Sequence, residues 1–420
     1  MSKVLEEVKK MPVGLSAPES LAPIDGVWVG TAASGARKEH RDDLTLFAFS
    51  GDTEVAATFT DNAFCAAPVL VAREHLRQAR PRYLLVNVGS ANAGTGEPGI
   101  ADARRCCALV ADALSGPDDQ VQADSVLPFS TGVIGEPLPM ERIARAIPFA
   151  CESLKPDGWL EAALAILTTD ILPKGISLSK RIGGRQVRLT GIAKGSGMIH
   201  PNMATMLAFI ATDAKVEAQV LEAVLQRAVH RSFNRISVDG DTSTNDACVL
   251  AATGAADNQP IALDSPECAA FADLVCEATA FLSQAIVRDG EGATKFVEIE
   301  VIEGENENEC LQVAKTVAHS PLVKTALYAG DANWGRILAA VGRAGLADLD
   351  IARIRIWLGE VCIVSAGARD PKYREEAGAA VLAREEIRIR IALGRGKAAD
   401  RMWTCDFSHD YVSINADYRS

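Results

Sequence analysis

The chain is poor in the residues that most often build metal and hydrolytic centres. Among its 420 residues only six are histidine (His40, His75, His200, His230, His319 and His409), with no HxxxH or HExxH spacing. A histidine metal site is therefore not expected. The ten cysteines form no CxxC pair, which removes the usual zinc and dithiol motifs. They read as reduced, mostly buried thiols of a cytoplasmic protein, the vicinal pair Cys106-Cys107 included. No apolar run reaches the ~18–20 residues of a bilayer span, and the first ten residues place charges where a signal peptide needs an apolar stretch. Positive charge is also in deficit. A net charge of -12, with acids spread along the chain, disfavours nucleic acid as a partner.

What the chain does have is a globular composition, 48% hydrophobic and 23% charged, and enough length for one large domain or two ordinary ones. Short β-rich runs alternate with longer helical ones. Asp43–Phe49 and Tyr83–Val88 read as buried strands, and 100–114 and 140–154 as helices. An amphipathic helix is expected over roughly 216–233, and two helical stretches over 322–345 around the turn Ala329–Arg336. Ile351–Leu358 and Glu386–Ile391 alternate apolar with polar, which marks strands with one wet face in a partly antiparallel sheet. The fold class is α/β, with layered mixed sheets flanked by helices.

Three motifs imitate chemistry. Gly94-Thr95-Gly96-Glu97-Pro98-Gly99 matches GxGxxG between a strand and a helix. Ser90-Ala91-Asn92-Ala93 separates it from the strand, however, and no acid-ended strand follows about 20 residues on, so a polar pocket loop is the better reading. Asp239–Asp246 starts like a calcium loop but has Thr244 where glycine is needed and Leu250 where glutamate is needed; it reads as a turn before a strand over 247–252. Gly394-Arg395-Gly396-Lys397 lacks the Ser or Thr of a P-loop and reads as a turn.

The stretch Lys194-Gly195-Ser196-Gly197-Met198-Ile199-His200-Pro201-Asn202-Met203-Ala204-Thr205-Met206-Leu207 is different. Cleavage between Ala204 and Thr205 would give Thr205 a free α-amine close to its own hydroxyl. Such an amine has a pKa near ~8, so a useful fraction is neutral at pH 7 and can take the hydroxyl proton. One residue then supplies nucleophile and base. Three further stretches suit that chemistry. Ser130–Met140 is a glycine loop ahead of a helix, where a hydroxyl beside a glycine amide can give two donors to an oxyanion. Arg288–Lys295 is an acidic, glycine-flanked loop. Val412–Ser420 ends the chain with Asn415 and Ser420, a tail that by itself would read as frayed.

In this order the motifs are similar to those of the ornithine acetyltransferases, or glutamate N-acetyltransferases, of arginine biosynthesis. The resemblance runs from about Gly26 to Ser420. Its anchors are Phe64–Val69, Gly89–Gly96, Ser130–Met140, Lys194–Leu207, Asp289–Lys295, Asn333–Arg336 and Asn415–Ser420; the Ser130–Gly135 and His200–Met206 stretches are the most specific. It implies an N-terminal-nucleophile-like αββα sandwich of the ornithine acetyltransferase/DmpA type. It also implies a precursor that cuts itself into an α chain, 1–204, and a β chain, 205–420, assembled as a heterotetramer of two α and two β. Thr205 would be the nucleophile and Ala204 the residue before the cut. Thr131 and Gly132 would form the oxyanion hole. Thr168 (or the adjacent Thr169), Lys194, Thr205, Glu291, Asn415 and Ser420 align with substrate-binding positions. A lysine suits a substrate carboxylate and a glutamate suits an ammonium.

The implied reaction is ping-pong: acetyl passes from N-acetylornithine to Thr205 and then to glutamate. Acetyl-CoA is a further donor in some members, and no bound cofactor or metal is implied. Three features depart from the family pattern: Ser420 in place of a terminal threonine, Gly94 where cysteine is common, and Val88-Gly89-Ser90 in place of Ser-Gly-Asn. Two other functions compete. An aminopeptidase or amidase with the same threonine would release product to water, and an uncleaved nucleotide-binding protein would use Gly94-Thr95-Gly96.

Overall fold

The structure, a computed structural model of the chain, describes residues 11–36, 41–117, 119–200 and 206–416. Ala204, Thr205 and Ser420 lie outside the described residues. The chain divides into a larger unit, Ala17–Asn234 with Asp241–Ile286, and a smaller one made of Met1–Ser16, Arg235–Gly240 and Val287–Ser420.

The larger unit holds two sheets. One has the order β1 (Val27–Ala32), β2 (Leu44–Phe49), β4 (Tyr83–Ser90), β5 (Val126–Val133). The other has the order β3 (Glu54–Phe59), β10 (Ala247–Ala252), β8 (Leu207–Thr212), β7 (Arg185–Lys194), β6 (Lys174–Ile182). Strand β2 explains the layering. All six of its residues are buried, and successive side chains point to opposite faces. Phe47 and Phe49 enter one core with Phe129 of β5, Phe209 of β8 and Val249 of β10. Leu44, Leu46 and Ala48 enter another with Cys106 and Val110 of α2 (Gly96–Leu114) and Ile143 and Ile147 of α3 (Met140–Glu152). The first core is sheet against sheet, stitched by ring contacts of Phe209 with Phe47 and Phe129 at 5.1 and 5.2 Å. The second is sheet against helices. α1 (Ala67–Gln78) and α4 (Trp159–Ala165) complete the surroundings of the four-stranded sheet.

Helices also cover the far face of the five-stranded sheet. α5 (Ala218–Arg231) packs on β3 and β10, and Leu282 of α6 (Pro266–Arg288) reaches the Gly191–Ile210 surface. The unit is an αββα sandwich. α6 corrects one expectation: its 23 residues include an 18-residue window with a mean hydropathy of 1.4, so the helix is long and apolar enough to cross a bilayer by length and composition. Glu267, Asp273 and Glu277 interrupt any continuous apolar run. Here Phe271, Leu274, Val275, Ala278 and Leu282 are buried, the spacing of a helix with one face on a core.

The smaller unit is one mixed sheet in the order β14 (Ala368–Arg369), β13 (Val361–Ser365), β12 (Arg355–Leu358), β15 (Glu386–Ala392), β11 (Phe296–Gly304), β16 (Ala398–Cys405), β9 (Ile236–Ser237). Its apolar face, with Val297, Ile299 and Val301 beside Ile387, Ile389 and Ile391, packs on α7 (Glu307–Ala318), α8 (Pro321–Ala329) and α9 (Trp334–Gly342). α10 (Glu375–Leu382) buries Val381 and Leu382 in the same core. The opposite face carries charge, as the alternation predicts: Arg390 meets Glu300 at 2.7 Å and Arg388 meets Glu298 at 2.8 Å.

Four further segments differ from expectation. Ile351–Arg353 is a 3-10 turn, capped by the Asp350 carboxylate accepting from the Ala352 N–H, and only Arg355–Leu358 is strand. Ser130-Thr131-Gly132 is the end of β5 and not a loop, because β4 pairs with it in parallel through Val133. The helix expected from residue 100 starts at Gly96, inside the glycine motif. Finally, the tail forms α11 (His409–Ala416) where fraying was the bland expectation.

Candidate active site

In the larger unit, the ends of β5, β7 and β8 gather the polar residues that the sandwich otherwise excludes. β7 is delivered by a tight hairpin from β6. Its turn residues Gly183 and Gly184 have φ of +55° and +79°, as a two-residue type I′ turn requires. The hairpin ends at Lys194, which is 2% exposed and pairs with Leu207 of β8. The Lys194 Nζ donates to Thr131 Oγ1 at 3.2 Å. An ammonium has no lone pair, so the Thr131 oxygen is the acceptor and its own O–H remains to donate elsewhere. Beside it, Gly132 has φ +138°, and a Cβ there would lie 2.3 Å from the Gly89 carbonyl carbon. Only glycine lets the two parallel strands approach this closely while the backbone turns its amide out of the β region.

A buried carboxylate supports Lys194. Asp170 Oδ1 accepts from Lys174 Nζ at 2.6 Å and from the Gly195 N–H at 2.7 Å. Its Oδ2 accepts from the Thr168 N–H at 3.0 Å and from Thr168 Oγ1 at 3.4 Å. Both side chains of the Asp170–Lys174 pair are fully buried. Burial alone would push the Asp170 carboxyl up, but the Lys174 and Lys194 ammoniums and these N–H donors hold it below the usual carboxylate range. One carboxylate thus faces two lysine ammoniums. Thr169 Oγ1 lies 2.6 Å from Ser196 Oγ, so Thr168 and Thr169 have separate attachments.

The loop that failed as a calcium site braces the same strand ends. Asn245 Nδ2 donates to the Ser130 carbonyl at 2.9 Å and to the Ala91 carbonyl at 2.6 Å, fixing the residue before Thr131. Asp246 Oδ1 accepts from the Met206 N–H at 3.0 Å. Burial pushes the Asp246 carboxyl well above the usual range, against the Met206 N–H, nearby Ser243 and the Lys194 charge. Asp170, Lys174, Asn245 and Asp246 were not singled out from the sequence. The only local hint was the run Thr242-Ser243-Thr244-Asn245-Asp246, unusually polar for the entry to a buried strand.

The GxGxxG segment is occupied by its own side chains. Asn92 Nδ2 donates to the Gly99 carbonyl at 2.9 Å, and Thr95 Oγ1 donates to Asn92 Oδ1 at 2.7 Å. A Cβ on Gly99 would meet Thr95 Oγ1 at 1.9 Å. This is the closing of a polar loop on itself.

In the smaller unit two more of the expected residues meet. Asn415 Nδ2 donates to Glu291 Oε2 at 2.8 Å, from α11 to the loop before β11. Glu291 is 7% exposed. Gly292, with φ +68°, leaves no room for a Cβ, which would stand 2.5 Å from the Tyr411 nitrogen, and Ser408 Oγ donates to the Gly292 carbonyl at 2.6 Å. The sequence-expected residues therefore form two sets, Thr131, Gly132, Thr168 and Lys194 in one unit, and Glu291 and Asn415 in the other.

An αββα sandwich whose strand ends present a lysine-oriented hydroxyl, an adjacent glycine amide and buried positive charge belongs to the class of acyl-transferring enzymes. Comparison with known proteins agrees. The ArgJ family model matches residues 28–420. The arginine biosynthesis bifunctional protein ArgJ of Methylococcus capsulatus is 58% identical over 400 residues, 95% of this chain and 97% of its own length. That of Pseudomonas fluorescens is 53% identical over 413 residues, 98% of this chain and 100% of its own. Among solved structures, the ArgJ of Bacillus halodurans is 39% identical with a TM-score of 0.47, covering 49% of this chain and 95% of that one. An ornithine acetyltransferase from Mycobacterium tuberculosis, complexed with ornithine, is 33% identical with a TM-score of 0.37, covering 43% and 93%. The chain belongs to the ArgJ family, and with it to the acetyltransferases of arginine biosynthesis.

Proposed function

We propose that the chain cuts itself between Ala204 and Thr205, and that the freed Thr205 carries acetyl from N-acetylornithine to glutamate. Its α-amine takes the hydroxyl proton, the hydroxyl oxygen attacks the acetyl carbonyl, and ornithine leaves. Glutamate then attacks the acetyl ester and departs as N-acetylglutamate, which makes the kinetics ping-pong. Both steps pass through a tetrahedral oxyanion. The Thr131 hydroxyl and the Gly132 amide are its donors, each worth about 10²–10³ in rate in such sites.

Lys194 takes a substrate carboxylate, and Thr168 adds a hydrogen bond beside it. Glu291, held by Asn415, takes a substrate ammonium, and Ser420 is a further substrate-binding residue. Acetyl-CoA serves as a second acetyl donor. The α chain, 1–204, and the β chain, 205–420, stay together as a cytoplasmic heterotetramer of two α and two β.

The observation that carries this reading is the Lys194–Thr131 hydrogen bond at 3.2 Å. It turns the Thr131 O–H into a free donor beside the Gly132 amide, at strand ends next to the residue that follows Thr205. Intact mass under denaturing conditions, N-terminal sequencing of the smaller fragment, and acetyl transfer to glutamate measured against free acetate test it together. A single uncut polypeptide with full activity refutes the threonine chemistry. Release of acetate without N-acetylglutamate replaces transfer by the amidase reading.

A further inference from the structure

Helix α11 carries Asn415 but has little of its own to keep it in place. It is eight residues long and none of them is buried, and a helix of that length is marginal in water by itself. Its bond to Glu291, from Asn415 Nδ2 at 2.8 Å, is made in its last turn. Whatever fixes the first turn therefore decides where Asn415 stands.

That fixing comes from α8. Lys324 is 1% exposed, and its ammonium is spent on the exit of β16. Nζ donates to Thr404 Oγ1 at 2.9 Å and to the Cys405 carbonyl, and lies 3.8 Å from Cys405 Sγ. It also stands 4.6 Å from the centre of the Phe407 ring, within cation–π range. The main chain grips the same turn, the Lys324 carbonyl accepting from the Phe407 N–H at 3.3 Å. Phe407 passes the contact on by stacking on Tyr411 of α11 at 4.9 Å. One turn further along α8, Tyr328 meets the His409 ring edge-on at 5.6 Å.

A buried ammonium is an expensive way to hold a turn. Cys405 supplies no counter-charge: burial pushes its thiol up to about 11 against the pull of Lys324, so it is neutral at pH 7. The Asp406 carboxylate is committed to the other side. Its Oδ1 accepts from the Thr294 N–H at 2.8 Å and the Lys295 N–H at 2.9 Å, and its Oδ2 from Thr294 Oγ1 at 2.5 Å. A methionine would fill much the same space as Lys324 without that penalty, but it has no donors for the turn. The segment 404–408 is thus pinned to α8 through Lys324, and to the loop that carries Glu291 through Asp406 and Ser408.

We propose that Lys324 is a positioning residue for the ammonium-binding carboxylate: by holding the turn between β16 and α11 it sets Asn415, and through Asn415 the Glu291 side chain. This rests on the role given to Glu291 under Proposed function. The lever is long enough to matter. From His409 to Asn415 the helix rises about 9 Å, so a tilt of about 10° at its base moves Asn415 by about 1.5 Å. A shift of that size breaks the bond to Glu291.

Two acetyl donors separate this role from a structural one. N-acetylornithine carries a side-chain ammonium and N-acetylglutamate does not. In a ping-pong scheme kcat/KM for a donor reports the half-reaction with that donor alone. Lys324→Met, fully cut by mass, is expected to lower kcat/KM for N-acetylornithine about tenfold through KM, the scale of a weakened charged hydrogen bond. For N-acetylglutamate, with ornithine as acceptor, kcat/KM is expected to stay within about twofold, since no ammonium meets Glu291 in that half-reaction. A donor preference that stays as in wild type, or shifts the other way, overturns the proposal whatever the melting temperature does. If Lys324→Met is uncut or gives no cooperative melt, Phe407→Leu decides on the same ratio, because it removes the ring between the ammonium and α11 and leaves Lys324 its hydrogen bonds. Glu291→Gln separates the two levels. If that variant keeps the wild-type preference, the role of Glu291 falls and this inference with it; if it loses the preference while Lys324→Met keeps it, this inference alone falls.

Discussion

Replacing Thr131 with valine removes one oxygen and little else. The residue is 5% exposed at the end of a buried strand, and valine has the same branched shape and β preference. In the folded protein the change costs the hydrogen bond that Lys194 donates at 3.2 Å, about 1.5–3 kcal/mol for a charged donor. In the proposed reaction it costs one of the two assigned oxyanion donors. Such a donor acts in a water-poor site, and its loss lowers kcat by about 10²–10³, roughly 2.7–4 kcal/mol. The two losses are separable. Melting reports the first, and kcat for acetyl transfer from N-acetylornithine to glutamate reports the second, measured on protein shown by mass to be fully cut. Thr131→Ser restores the hydroxyl and is expected to recover most of the rate. A fully cut Thr131→Val enzyme with kcat within about threefold of wild type refutes the oxyanion assignment, since that is well below the loss of about 10²–10³ typical of such a donor.

Gly132→Ala places a methyl 2.3 Å from the Gly89 carbonyl carbon at a φ of +138°; the overlap and the backbone strain together are expected to cost at least about 3 kcal/mol, read by denaturant melting. Lys194→Ala is expected to raise KM for the amino-acid substrates more than it lowers the melting point, and an unchanged KM counts against the carboxylate contact. Asp170→Asn strips the charge from the partner of fully buried Lys174, with an expected loss of about 3–5 kcal/mol at neutral pH. The pH dependence has a definite sign. Asp170 is held below the usual carboxylate range, so its contribution is complete above the unfolded value near ~3.9 and is lost as pH falls toward the folded value. The variant should therefore lose the part of the acid-denaturation slope below about pH 4 that wild type shows, and identical slopes would refute the assignment.

Local pattern carried some elements well. The strand over 247–252 and the one starting at Glu386 fall where alternation and apolar runs place them, and the two helices around Gly330 flank the expected turn. Where it failed, pairing with distant chain was the cause. Ser130–Gly132 reads as a glycine loop until β4 supplies a parallel neighbour. The tail reads as frayed until Asn415 finds Glu291, 124 residues earlier. α6 hides its length because its charges fall on the face away from the core.

The sequence by itself determined the family and the order of its motifs, because those rest on residue identities over short stretches: a threonine after a small residue, a Thr-Gly pair, a lysine before glycines. It could not assign the residues that make those motifs work. Asp170 meets the Gly195 N–H 25 residues away, Asp246 meets Met206 40 residues away, and Asn245 reaches the Ser130 carbonyl 115 residues away. An aspartate or asparagine has the same local signature whether it lies in a solvated turn or is buried against a reacting strand end. Only the packing of the two sheets, which takes these side chains out of water and gives each a definite partner, decides between a turn residue and a part of the site.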